Sequence, residues 1–202
     1  MLEIKGRLNE QPVLNHTALI QLSSAAAMTS ASKTASPVAL GSLIWDDTTT
    51  YALTGTITGA AQNIKYVVVG IYTKDQRTLV PGQYLTADQA HDGNHWLKVI
   101  PVGGVVFETE EDAASDVIAT SEADAGWYSN LVITDPTAPD LSQNCYQDTY
   151  TTVQLDSSAA AAADSNHLVQ LISTQDRRAA ATGRKRRFRF QVIAAHAQAS
   201  QA

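Results

Sequence analysis

The stretch Trp96–Glu111 reads Trp-Leu-Lys-Val-Ile-Pro-Val-Gly-Gly-Val-Val-Phe-Glu-Thr-Glu-Glu, two β-rich halves about a Gly103-Gly104 pair. Only glycine takes positive φ at both central positions of a two-residue loop without steric cost, so the stretch reads as a β-hairpin. That register sets Val102 opposite Val105, Ile100 opposite Phe107 and Lys98 opposite Thr109. One face then carries Trp96, Ile100, Val102, Val105 and Phe107. The other carries Leu97, Val99 and Val106 beside Glu108 and Glu110, and is partly wet. A lone hairpin is marginal in water, so the apolar face requires further strands to cover it.

The remaining chain offers those strands. Thr48–Thr58, Ile64–Thr73, Asp116–Thr120, Asn130–Thr134, Thr149–Leu155, Leu168–Ser173 and Arg186–Ile193 are β-branched, aromatic or alternating. Ile64–Thr73 is apolar on both faces, which places it centrally in a sheet. Pro81-Gly82, Asp92-Gly93-Asn94 and Asp124-Ala-Gly126 read as turns, and Asp135-Pro-Thr-Ala-Pro-Asp140 as a proline-punctuated loop. Ala159–Ala163 favours a helical turn too short to stand alone. About ten short strands spaced by turns predict an all-β fold, a single sandwich or barrel-like domain. The expected organisation is an extended N-terminal arm over residues 1–48, a β-rich domain over 49–196 and a short tail over 197–202. The arm contains one candidate strand, Val13–Leu22. Its Ser23–Ser36 stretch has almost nothing to bury, which fits either a linker or a segment that orders on a partner. On this view, deleting residues 1–36 leaves the β-domain folded.

Composition narrows the class. A single cysteine, Cys145, rules out an intrachain disulfide. No apolar run approaches the ~20 residues that span a bilayer, and the N-terminus lacks a signal-peptide layout. Folding in a reducing cytoplasm is the expectation. The net charge of −6 conceals a split. Residues 1–176 hold 20 acidic and 7 basic residues (−13), whereas residues 177–202 hold 7 basic and none acidic (+7). The acidic remainder argues against a dedicated nucleic-acid binder.

Candidate chemistry is sparse. His91-x-x-x-His95, with Asp88 and Asp92, has metal-ligand residue types, but Gly93-Asn94 breaks the helix that the spacing needs, so a solvated turn is expected. Glu108, Glu110, Glu111 and Asp112 could pair as acid and base in glycoside hydrolysis; a wet strand edge that blocks edge-to-edge association is the expected reading. Cys145 has no adjacent base, although His167 or His196 could approach it in space. No catalytic residue, metal or cofactor is assigned, and no enzyme is expected. The most unusual run is Arg184-Lys-Arg-Arg187 followed by Phe188-Arg-Phe190. Its alternation puts Phe188, Phe190 and Val192 on one face and Arg187, Arg189 and Gln191 on the other. Arg184, Lys185, Arg187 and Arg189 are the candidate partner-binding residues. An acidic neighbouring subunit ranks first as their partner, a solvated strand second and nucleic acid third.

Five blocks together carry a family resemblance: Gly104-Val-Val-Phe-Glu-Thr-Glu-Glu-Asp112, Ala125-Gly-Trp-Tyr-Ser-Asn-Leu-Val-Ile-Thr134, Thr151-Thr-Val-Gln-Leu-Asp-Ser-Ser158, Leu168-Val-Gln-Leu-Ile172 and Phe188-Arg-Phe-Gln-Val-Ile-Ala-Ala-His196. Their order and spacing over roughly residues 96–196 resemble the head decoration (cement) proteins of short-tailed and related DNA bacteriophages. The resemblance implies a β-rich structural virion protein on the capsid exterior, made in the host cytoplasm. It also implies a homotrimer that braces the major capsid protein, with no membrane partner and no catalytic residues. Such proteins need no strongly basic C-terminal strand, which is where this chain departs from the pattern. The alternative is another phage structural β-protein, a tail or receptor component, presenting Trp127-Tyr128 to glycans.

Overall fold

The computed structural model describes residues 2–7, 17–28, 34–57, 64–113, 127–142, 147–158, 167–174 and 185–193. The expected strand Asp116–Thr120, the helical turn at Ala159–Ala163, Arg184, Cys145, His196 and the 197–202 tail lie outside them. The described chain forms β1 (Glu3–Arg7), β2 (Ala18–Ile20), β3 (Val38–Ala39), β4 (Leu43–Asp46), β5 (Thr50–Ala52), β6 (Gly55–Ile57), β7 (Tyr66–Tyr72) and β8 (Tyr84–Leu85). There follow one helical turn, α1 (Ala87–Ala90), then β9 (Trp96–Pro101), β10 (Val105–Glu110), β11 (Tyr128–Ser129), β12 (Leu131–Thr134), β13 (Thr152–Leu155), β14 (Val169–Thr174) and β15 (Arg187–Val192). The fold is all-β, as the sequence predicts, and among the described residues its antiparallel sheets do not close into a barrel. Among the described residues no helix is long and apolar enough to cross a membrane.

Two five-stranded sheets dominate. The outer sheet runs β1-β10-β15-β14-β11 and the middle sheet β2-β9-β7-β4-β5; β13-β12-β6 and β3-β8 form smaller sheets. The middle sheet is apolar on both faces. Leu43, Val67 and Ile100 join Phe107, Leu171, Phe188 and Phe190 of the outer sheet and Ile57, Leu131 and Val153 of the small sheet in one core. Ile44, Val68, Ile71, Leu97 and Val99 point the other way, into a second core closed by Leu22, Val38, Leu85 and Ala90. β7 lies between β9 and β4, the central position its two apolar faces predict. A bulge at Val69-Gly70 lets Val67 and Val69 face one core while Val68 and Ile71 face the other.

The hairpin expectation is overturned. β9 pairs with β2 and β7, while β10 pairs with β1 and β15, so the two halves of Trp96–Glu111 belong to different sheets. Gly103-Gly104 does form a tight turn, in which Val105 N–H donates to Val102 O at 3.1 Å. Only Gly104, at φ 71°, adopts positive φ. A two-residue hairpin with the native strand twist needs a mirror-image turn, whereas a turn with positive φ only at its second central residue splays the flanking strands. Val102 N–H bonds Lys65 O at 2.9 Å instead, and the chain turns the corner from the middle sheet to the outer one. Leu97 and Val99, 1% and 0% exposed, are therefore not on a wet face but inside the second core.

Residues 1–48 also differ from an arm, because their described parts supply β1 to β4. β1 pairs with the edge of β10, and β2 with the edge of β9. Ser23, at the start of the low-complexity stretch, is tied to β5: its N–H donates to Thr50 O, and its hydroxyl accepts from Thr50 N–H, both at 2.9 Å. Leu2 and Ile4 pack against the main core and line a groove of about 270 Å³ with Val67, Val69 and Tyr150. Deleting residues 1–7 is thus expected to lower stability, by on the order of 2 kcal/mol from the lost apolar cover alone. It also bares the β10 edge to other chains. A urea midpoint unchanged on deletion, with no new aggregation, contradicts this.

Candidate interaction surface

The side of the outer sheet that faces away from the core is charged. β15 alternates as its sequence requires: Phe188, Phe190 and Val192 are buried, while Arg187, Arg189 and Gln191 are half-buried on the opposite face. The antiparallel register sets Glu108 opposite Arg189 and Glu110 opposite Arg187. Because side chains alternate, a one-residue slip would bring phenylalanines against carboxylates, so the core fixes the charge pairing.

Glu108 is the hub of this face. It is 5% exposed and meets Arg189 Nε at 3.1 Å, an Arg187 terminal nitrogen at 3.2 Å and Lys5 Nζ at 3.5 Å. Glu3 lies beside it, 2.5 Å from both Lys5 and Arg187. Five charges from three strands thus form one network. Of the candidate partner-binding residues, Arg187 and Arg189 are brought together here, Lys185 is exposed just before β15, and Arg184 lies outside the described residues. The carboxylates that Arg187 and Arg189 meet here, Glu3 and Glu108, belong to this chain, whereas the sequence alone ranks those of a neighbouring subunit first. Their side chains remain 37% and 42% exposed, so one flank of each stays accessible.

Hydrogen bonds from Lys5, then from Arg187, hold the Glu3 carboxyl down at about 2, against its ordinary 4.5. A depressed carboxyl contributes stability that is present above its unfolded value and lost as pH falls through its folded one. The Glu3 contribution is therefore expected to fade between about pH 4.5 and pH 2. With 30% of its side chain in solvent, screening keeps that contribution modest. Glu3→Gln should flatten this part of the stability–pH curve, and a variant curve parallel to wild type through the window refutes the assignment.

A second ion pair is buried. Glu111 is 0% and Arg186 6% exposed. Arg186 Nε and a terminal nitrogen donate to the two Glu111 carboxylate oxygens at 3.2 and 3.0 Å, and Arg186 N–H donates to one of them at 2.8 Å. Glu111 N–H returns a bond to Arg186 O at 3.0 Å. The guanidinium also lies 5.1 Å from the Phe188 ring centroid. The acidic cluster is thus not a wet strand edge. β10 lies inside the sheet, Glu108 and Glu111 are buried and paired, and Asp112 accepts from the Ser157 N–H and hydroxyl at 3.0 and 2.7 Å. Only Glu110 of the four is exposed. Sequence reasoning missed Arg186, although β-alternation from Phe188 places it on the inward face.

The other candidates fall elsewhere. His91 is buried, with Nδ1 2.6 Å from Ser23 O, and His95 Nδ1 lies 3.2 Å from Asp92. Among the described residues no group of three or more His, Cys, Asp or Glu is arranged to hold a metal. Trp127 packs against the main core, and the Tyr128 hydroxyl accepts from Gln170 at 3.4 Å, so neither stands clear as a glycan platform. No protein-family model, curated protein or solved structure matches the chain.

Proposed function

We propose that this chain is a structural, non-enzymatic virion protein that binds the outside of an icosahedral phage capsid and braces the major capsid protein lattice, as a homotrimer. The observation that carries the reading is the charged outer face of the β1-β10-β15-β14-β11 sheet. Its arginines are fixed by a buried carboxylate yet keep one flank in solvent. A preordered charged face meets a complementary surface without losing side-chain freedom on contact. The five blocks that carry the family resemblance support the same reading, since their described parts supply most of β10 to β15 and contribute to one core. Each contact with the lattice is weak in this mechanism. Linking three copies raises the effective concentration of each remaining contact, so the assembly holds where a single copy would dissociate.

The test is co-sedimentation of the purified protein with expanded empty shells over a salt series, with light scattering of the free protein. Saturable decoration that weakens with salt, and weakens at least tenfold in a Lys185→Glu, Arg189→Glu double variant, is the expected result. Folded protein that leaves shells undecorated at low salt refutes the reading.

A further inference from the structure

The loop after β12 folds back over the turn that precedes β8, and together they frame a groove. Gly82 sits in that turn at φ 65°, and a Cβ there would come within 2.6 Å of Pro139 Cγ, so only glycine lets the two loops close together. Thr149 N–H donates to Gly82 O at 2.8 Å. Gln83, 5% exposed, also takes positive φ, and its side chain stands in for a strand: Oε1 accepts from Ile71 N–H at 2.8 Å and Nε2 donates to Val80 O at 3.0 Å. At one end Thr86 and Gln89 cap α1 reciprocally, which engages their polar groups with each other.

Within this frame lies an open space of about 310 Å³ walled by Val80, Pro81, Tyr84, Pro139 and Leu141. Leu141 is 51% exposed, and Leu79, which leads into Val80, is 52% exposed. Apolar surface of this kind, held on a braced backbone, is the anatomy of a recognition pocket. Aspartates next in sequence to its walls give the occupant's charge. Exposed Asp140 lies between the wall residues Pro139 and Leu141, exposed Asp88 lies between Thr86 and Gln89, and exposed Asp148 precedes the Thr149 that is bonded to Gly82. The Ser142 hydroxyl and N–H hold the Asp140 carboxyl below its ordinary range, so it is ionised at neutral pH. The basic residues closest along the chain, Lys74 and Arg77, lie in the loop whose backbone Asp75 organises.

We propose that this groove docks a protein segment bearing one or two bulky apolar side chains flanked by lysine or arginine. The apolar side chains fill the pocket and supply affinity; the flanking cations meet the aspartates and select against acidic segments. The inference needs no shell and is independent of the capsid reading. It is tested by titrating the ¹⁵N-labelled full chain with the capped heptapeptide Lys-Arg-Leu-Pro-Leu-Arg-Lys, followed by NMR. Saturable shifts confined to the amides of Val80–Leu85 and Leu141–Ser142 are expected. Binding should fall at least tenfold in Leu141→Ser, whose exposed site spares the fold, and several-fold in Asp88→Asn with Asp140→Asn. A Glu-Asp-Leu-Pro-Leu-Asp-Glu peptide should bind at least tenfold more weakly than the basic one. Shifts scattered over the acidic surface, unchanged binding by Leu141→Ser, or no shifts at millimolar peptide each overturn it.

Discussion

Glu111→Ala should destabilise the protein by about 3–5 kcal/mol, a large part of the margin of a domain this size. The substitution leaves Arg186 charged, 6% exposed and deprived of the carboxylate that accepts two of its side-chain bonds and its backbone N–H. A guanidinium cannot shed its proton, so the chain must bury the charge or open β15 to water. Arg186→Met strands the other partner, leaving the Glu111 carboxylate, 0% exposed, without its guanidinium, and should also be strongly destabilising. The double variant Glu111→Leu, Arg186→Met, apolar on both sides, should recover most of the loss. Denaturant unfolding at pH 7 measures all three. A Glu111→Ala cost below about 1 kcal/mol, or a double variant as unstable as the single, would mean the pair is not desolvated as its burial implies.

The pair also marks how far the sequence could be read. β-branched, aromatic or alternating runs placed β7, β12, β13, β14 and β15 close to their observed bounds, and alternation assigned the inward phenylalanines and outward arginines of β15. Those are local properties of a period-two pattern. Pairing over long sequence distances was not legible. Nothing in Glu3–Arg7 announces that it joins β10, about a hundred residues on, and so the segment read as part of an arm. The same gap hid the charge network, since Glu108 becomes a buried hub only once β1 and β15 are known to flank it. The hairpin misreading has a different cause. Two glycines permit positive φ at both turn positions but do not require it, and the structure uses it at Gly104 alone. A cue for the correct arrangement lay in β9 itself, where Leu97 and Val99 are as apolar as Ile100. A strand apolar on both faces belongs between two layers, which a two-faced hairpin at a wet surface does not provide.

Phe190→Ala tests whether the outer sheet is held by its core rather than by its charges. Phe190 and Phe107 are directly opposite on β15 and β10, their rings stack at 5.6 Å between centroids and 28° between planes, and each is 1% exposed. Removing one ring deletes its transfer free energy and leaves a cavity against a partner that cannot follow, an expected loss of about 3–5 kcal/mol. Phe190→Leu refills part of the space and should cost about half as much or less. The charged face on the other side of the same strand gives the comparison. Arg189→Ala removes a partly exposed cation from a network in which Arg187 and Lys5 still meet Glu108, so its cost should stay nearer 1 kcal/mol. If Arg189→Ala proved as costly as Phe190→Ala, the arginines would be primarily structural. The expected order, a heavy loss from the ring and a light one from the cation, is what a recognition surface laid over an independent core requires.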